Sequence, residues 1–190
     1  MRVKDEEKRQ QIRDAAVRLI NEMGFAGASM SKIAKAAGVS PATIYLYFEN
    51  KEHMVQSLYL ELKAGLLQGI MAGTDQETTL KGKLRRAWLN FHGLLTSRPD
   101  IYRFCEQFYN SPYILALPPE RIDRIYRPMA ALFAEAEAQG LIRPLPFAVA
   151  FTYVFGPLGL VMKLGAQNGA PQTPEELDTL FDMAWRSVAA

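Results

Sequence analysis

The stretch Ser29-Met-Ser-Lys-Ile-Ala-Lys-Ala-Ala-Gly38-Val-Ser40-Pro-Ala-Thr-Ile-Tyr-Leu-Tyr-Phe48 decides the fold. It contains two short helical segments separated by a glycine turn. Ser29 is placed to cap a helix near Met30–Ala37. Met30, Ile33, Ala34 and Ala37 share one face of that helix, and the small alanines allow another helix to approach closely. Gly38 supplies the positive φ that a tight turn between helices requires. Val39 fills the turn from the inside. Ser40 then caps a second helix near Pro41–Phe48, with Pro41 at its first position. Ile44 and Phe48, four residues apart, face inward. The outward side carries Ala42 and Leu46, flanked by Pro41, Thr43, Tyr45 and Tyr47. A solvated helix face normally carries Lys or Glu. An uncharged Tyr/Thr/Leu face suits base edges and thymine methyls in a major groove. Tyr hydroxyls, Lys51 and the helix N-terminus suit phosphates.

Outward from this stretch, nearly every segment has helical periodicity and none shows strand alternation. A first helix is expected from about Asp5 to Met23, with Ile12, Ala16, Leu19, Ile20 and Met23 as its stripe and Gly24 as its stop. After the two short helices, a fourth runs from Lys51 to about Ala72 and a fifth from Gln76 to Thr96. Pro99 opens a sixth, which ends before Asn110-Ser111-Pro112. Pro118-Pro119 opens a seventh, closed by Gly140. An eighth covers Pro146 to Ala166. The ninth begins at Thr173-Pro174-Glu175-Glu176, where Thr173 and Glu176 stand at capping-box spacing. The predicted fold class is all-α: a three-helix N-terminal helix-turn-helix domain over residues 1–50 and a six-helix domain over 51–190.

The 190 residues are 49% hydrophobic, enough for one large core or two small ones. Residues 1–51 hold nine Lys/Arg against six Asp/Glu, and the remainder thirteen against fourteen, so the positive balance sits beside the helix-turn-helix. The single cysteine, Cys105, excludes an intrachain disulfide and a thiolate metal cluster. Its place between Phe104 and Phe108 reads as a buried, inert thiol. Neither His53 nor His92 has a second metal ligand at suitable spacing, and no catalytic constellation is present. No enzyme, cofactor or metal is expected. Met1–Gln10 is too charged for a signal peptide, and the uncharged stretch Leu145–Met162 reads as a buried helix rather than a span. A cytoplasmic protein without a membrane partner is expected.

The stretch with its flanks resembles the DNA-binding domain of the tetracycline-repressor (TetR) family of bacterial regulators. The resemblance rests on Ser29, Ile33-Ala34, Ala37-Gly38-Val39-Ser40, Thr43-Ile44-Tyr45-Leu46-Tyr47-Phe48 and Lys51-Glu52, with Met23-Gly24-Phe25 upstream. Gln139-Gly140-Leu141-Ile142-Arg143 is similar to the family's turn between its seventh and eighth helices. Ala42 stands where the family often has Gly, and Leu46 where it often has His. Both lie on the outward face and bear on which DNA is read. The resemblance implies that Ser29, Ser40, Pro41, Ala42, Thr43, Tyr45, Tyr47 and Lys51 contact an operator. Arg2 and Lys4 are either a DNA-contacting arm or a solvated terminus.

Sixteen of the twenty aromatic residues follow residue 50. They form either plain core or, as the resemblance implies, the lining of an effector pocket. The candidates are Tyr59, Leu62, Leu66, Trp88, Phe91, His92, Phe104, Phe108, Met129, Phe133, Phe151 and Phe155, suited to a small hydrophobic or aromatic effector. Glu61, Glu106 and Asp123 are either countercharges for a cationic effector or surface charges. The resemblance further implies a homodimer through the last two helices, where Gly159, Met162, Leu177, Phe181 and Trp185 are the candidates. The function expected is a ligand-responsive regulator, a repressor of a palindromic operator. The alternative is a helical ligand-binding protein whose N-terminal helices only pack.

Overall fold

A computed structural model describes residues 2–168 and 173–190, with side chains described for 6–165 and 173–190. Arg2, Lys4 and Ala166 therefore lie outside the described side chains. Nine α-helices run through the described residues: α1 (Arg2–Gly27), α2 (Met30–Ala36), α3 (Pro41–Tyr45), α4 (Lys51–Met71), α5 (Leu80–Ser97), α6 (Pro99–Tyr109), α7 (Pro119–Ala138), α8 (Phe147–Asn168) and α9 (Pro174–Arg186). The one β-type pairing among them is an isolated bridge between Ile142 and Ala189. The fold is all-α.

The helices form two compact units. The first comprises Met1–Gly65 with Arg98–Ile122, and the second Leu66–Ser97 with Asp123–Ala190. A cut at 50/51 follows the chain rather than the packing, because α6 and the start of α4 belong with the helix-turn-helix. In the first unit Ile12, Ile20, Ile33, Ile44, Phe104 and Phe108 are fully buried. In the second, Leu84, Trp88, Met129, Val154 and Phe155 are buried, and the Trp88 indole N–H donates to the Val154 carbonyl at 3.0 Å.

Several boundaries differ from expectation for local reasons. Gly24 breaks α1 at φ 69, but the chain resumes one further helical turn to Gly27. Met23, expected on the buried stripe, is exposed. α5 starts at Leu80 rather than Gln76. Thr74–Gln76 forms a separate 3-10 turn, and the Thr79 hydroxyl accepts the Gly82 N–H at 3.0 Å as a new cap. α3 ends at Tyr45, and Leu46 and Tyr47 continue as a turn, with Phe48 N–H donating to the Ile44 carbonyl at 3.0 Å. At α9 the capping box forms: Glu176 N–H to Thr173 Oγ1 at 3.2 Å and Thr173 N–H to Glu176 Oε2 at 2.8 Å.

α8 corrects a larger expectation. Its stretch Phe147–Gly165, with mean hydropathy 1.6, is long and apolar enough to cross a membrane, yet it is not a buried helix. Ala150, Val154, Phe155 and Leu158 face inward, while Tyr153, Leu160 and Leu164 are exposed. On α9, Met183 is exposed as well. The residues assigned to a dimer face stand differently. Gly159, Leu177 and Phe181 are buried within their own chain, with Phe181 edge-on to Trp88 at 5.9 Å. Only Met162 and Trp185 of that set are half-exposed. A side chain buried in its own core has no area left to cover with a partner. The apolar stripe of α9 is the side packed within its own chain.

Candidate nucleic-acid interface

The helix-turn-helix is built from its caps inward. Ser29 Oγ accepts the Lys32 N–H at 3.3 Å and starts α2. At the end of α2, Gly38 takes φ 69. Val39 N–H reaches the Ala34 carbonyl at 3.0 Å and Gly38 N–H the Lys35 carbonyl at 3.2 Å, the paired closure of a glycine-terminated helix. A Cβ on Gly38 would meet nothing within 4 Å, so the demand for glycine is conformational rather than steric. Ser40 Oγ then accepts the Thr43 N–H at 3.2 Å and stands 2.9 Å from Thr43 Oγ1. Pro41 occupies the first turn of α3.

Ile33, Ala34 and Ile44 have no solvent exposure, and Phe48 has 3%. These anchors fix which side of α3 looks outward. Tyr45 is 55% exposed and Leu46 is 83% exposed. Pro41 and Ala42 are exposed beside them, with Thr43 and Tyr47 half-buried at the margin. Ser29 and Ser40 are exposed while their hydroxyls serve as caps. The outward surface of α3 and of the turn after it thus presents two tyrosines, a leucine and small residues without a charge.

The lysines behave differently. Lys51, the first residue of α4, is half-buried, and its Nζ donates to the Phe25 carbonyl. Burial holds its ammonium below the usual lysine range. Lys32 Nζ likewise donates to the Gly27 carbonyl at 3.0 Å. His53 closes the turn before α4: its Nδ1 accepts the Glu49 N–H at 3.3 Å, and its own N–H donates to Asn50 Oδ1 at 2.8 Å. No group of three His, Cys, Asp or Glu suited to a metal occurs among the described residues.

The effector candidates divide between the units. In the first, Tyr59, Leu62, Phe104 and Phe108 are buried, and Tyr59 stacks on Phe108. An open cleft of about 690 Å³ in that unit has a mixed lining that includes Arg13, Arg18, Arg98 and Arg103 beside Val17 and Ile101, and of the effector candidates only Leu62 borders it. Glu61 is a surface charge, paired with Arg9 at 2.8 Å and Arg13 at 3.3 Å. In the second unit, Leu66, Trp88, Met129, Phe133 and Phe155 are buried, whereas Phe91, His92 and Phe151 are half-buried. Phe151 stacks on Phe155 at 4.9 Å and meets Tyr126 at 5.3 Å and Phe147 at 5.7 Å. Tyr126 and Phe147, on the aromatic faces of α7 and α8, belong to this half-buried group as well. Their spacing on α7 and α8 was the available signal, since Phe147, Phe151 and Phe155 recur every four residues.

A glycine-turned helix pair with a buried inner face and an uncharged outer one defines a helix-turn-helix regulator. Comparison with known proteins agrees. Residues 12–58 match the family described as bacterial regulatory proteins, tetR family, and residues 79–189 match the tetracyclin repressor-like C-terminal domain. The chain belongs to the TetR family of transcriptional regulators, which are not enzymes. A TetR family regulator from Marinobacter aquaeolei VT8 is 32% identical, with a TM-score of 0.90 over 100% of this chain and 99% of that one. The fatty acid metabolism regulator protein of Bacillus subtilis is 44% identical over 77 residues, 40% of each chain. The regulator BetI of Escherichia coli is 29% identical over 115 residues, 50% of this chain and 59% of BetI. The chain thus spans about half the length of these curated relatives. A Bacillus subtilis FadR structure in complex with stearoyl-CoA shares the fold at 24% identity, with a TM-score of 0.68 over 93% of this chain and 95% of that one.

Proposed function

We propose that this chain is a dimeric, ligand-responsive repressor of a palindromic operator, acting in the cytoplasm. The observation that carries the DNA-binding part is the uncharged outer face of α3, held outward by Ile44 and Phe48. Exposed Tyr and Leu side chains on a short helix cost solubility, and a major groove gives them something to read. Ser29, Ser40, Pro41, Ala42, Thr43, Tyr45, Leu46 and Tyr47 form the contact surface in this reading. Residues 1–50 serve DNA, and 51–190 serve effector binding and dimerisation.

A dimer fits the exposed apolar side chains Tyr153, Leu160, Leu164 and Met183 of α8 and α9. Two-fold symmetry would place two α3 helices about 34 Å apart, or a multiple, on half-sites of one operator. In this reading the effector binds in the second unit, where Phe91, His92, Tyr126, Phe147 and Phe151 are half-buried. Such a lining takes an apolar chain or ring. The stearoyl-CoA held by the Bacillus subtilis FadR makes a long-chain acyl-CoA the first effector to try.

The test is binding to a duplex selected from a random pool by the wild-type protein. Tyr45→Ala should cost about 1–3 kcal/mol on the selected duplex and leave weak binding to unrelated DNA nearly unchanged. Stearoyl-CoA should release the wild-type protein, and Phe151→Ala should blunt that release. Equal affinity of wild type and Tyr45→Ala for the selected duplex would refute the reading face. It would favour a ligand-binding protein whose N-terminal helices only pack.

A further inference from the structure

We infer that Lys51 is a positioning residue for the recognition helix, acting through the Phe25 carbonyl rather than through a DNA phosphate, and that Phe25 is the joint between α6 and the reading unit. The inference rests on the DNA-binding reading of α3. Its first ground is the shortage of donors at a helix end: the last carbonyls of α1 lack helical N–H partners. Two lysines supply them. Lys51 Nζ donates to the Phe25 carbonyl, and Lys32 Nζ to the Gly27 carbonyl at 3.0 Å. Both bonds place positive charge at the negative end of a helix, where it is favoured. With one of its three N–H donors held by that carbonyl, the half-buried ammonium is tethered to the end of α1.

The second ground is what Phe25 does with its ring. Gly24 breaks α1 and turns the next residue toward α6. The Phe25 ring meets Phe104 at 6.1 Å, Phe108 at 6.2 Å and Tyr113 at 5.2 Å. One turn earlier, Asn21 Nδ2 donates to the Asp100 carbonyl at 2.8 Å, and its Oδ1 accepts from Gln107 Nε2 at 3.0 Å. The end of α1 is therefore gripped by α6 through side chains, while its backbone holds the first residue of α4. Only Leu46–Asn50 separate that residue from α3. A shift of α6 is thereby transmitted to α3 through one residue's ring and carbonyl. Burial of the Lys51 ammonium agrees with an internal bond.

Salt dependence separates positioning from phosphate contact, because each phosphate neutralised contributes about 0.9 to the slope of log affinity against log salt on duplex DNA. Lys51→Met is expected to weaken binding to the selected duplex about tenfold with the slope unchanged. Amide hydrogen exchange over residues 41–53, measured without DNA, should accelerate in Lys51→Met and in Phe25→Leu. Lys51→Arg should restore slow exchange, since a guanidinium also donates to a carbonyl. On the duplex, Phe25→Leu and Lys51→Met together should cost less than the sum of each alone. A slope that falls by about one in Lys51→Met, with exchange unchanged, would overturn the inference in favour of a phosphate contact. Failure of the wild type to bind any duplex would strike the DNA-binding reading instead. The exchange measurement would then still decide the Lys51–Phe25 link.

Discussion

Tyr59 of α4 and Phe108 of α6 stack with ring centroids 4.1 Å apart and planes 12° from parallel. Both rings are almost wholly buried, at 2% and 0% exposure. The pair joins the helix that follows the reading unit to the helix gripped by Phe25. Truncating Phe108 removes this stack and its edge contact with Phe25, and leaves a cavity in a small core. Phe108→Ala should cost about 3–5 kcal/mol of stability by chemical denaturation. A loss under 1 kcal/mol would mean that the first unit collapses around the gap.

Tyr153, Leu160 and Leu164 give the described part of α8 an apolar side that its own chain does not cover. If a second copy covers it, Leu160→Glu with Leu164→Glu should yield monomers by sedimentation at micromolar protein while the helical signal persists. Phe181, whose ring packs on Trp88, should behave otherwise. Phe181→Ala should lower the unfolding midpoint far more than it changes the mass.

Burial holds the His92 imidazole below its ordinary value of 6.5. The unfolded chain therefore takes up a proton before the folded protein does. The contribution of His92 to stability is whole above pH 6.5 and is lost as the pH falls toward its lowered folded value. His92→Gln should make the stability profile shallower between about pH 7 and pH 5. An identical slope in both proteins would show that His92 does not carry it.

Cys105 is buried, and burial pushes its thiol up to about 11, only partly offset by Lys63. Its thiolate population near neutral pH should be about 100-fold below that of a free thiol. A thiol-specific disulfide reagent should label it only as the protein unfolds. Fast labelling of the native protein would reveal an opening of the α6 region that the packing of Phe104 and Phe108 does not suggest.

The reading unit was legible in the sequence because its determinants are local. Ser29, Gly38, Ser40 and Pro41 act on backbone within a few residues of themselves, so their types and spacing carry the geometry. The capping box at Thr173 and Glu176 was readable for the same reason. Boundaries at Gly24 and Thr79 were harder to place. A break and a second cap compete with the periodicity on either side.

The chain alone therefore determined an all-α architecture, the helix-turn-helix and the uncharged face of α3. Tertiary structure decided which apolar surfaces are spent inside the chain. Periodicity marks a side as apolar but does not say what covers it, so Phe181 and Leu160 look alike in sequence and differ in burial. It also decided the engagement of Lys51. A long, flexible side chain reaches whatever acceptor folding brings near, and the Phe25 carbonyl lies 26 residues away in sequence. Such a pairing depends on the path of the backbone between the two residues, which no local pattern encodes.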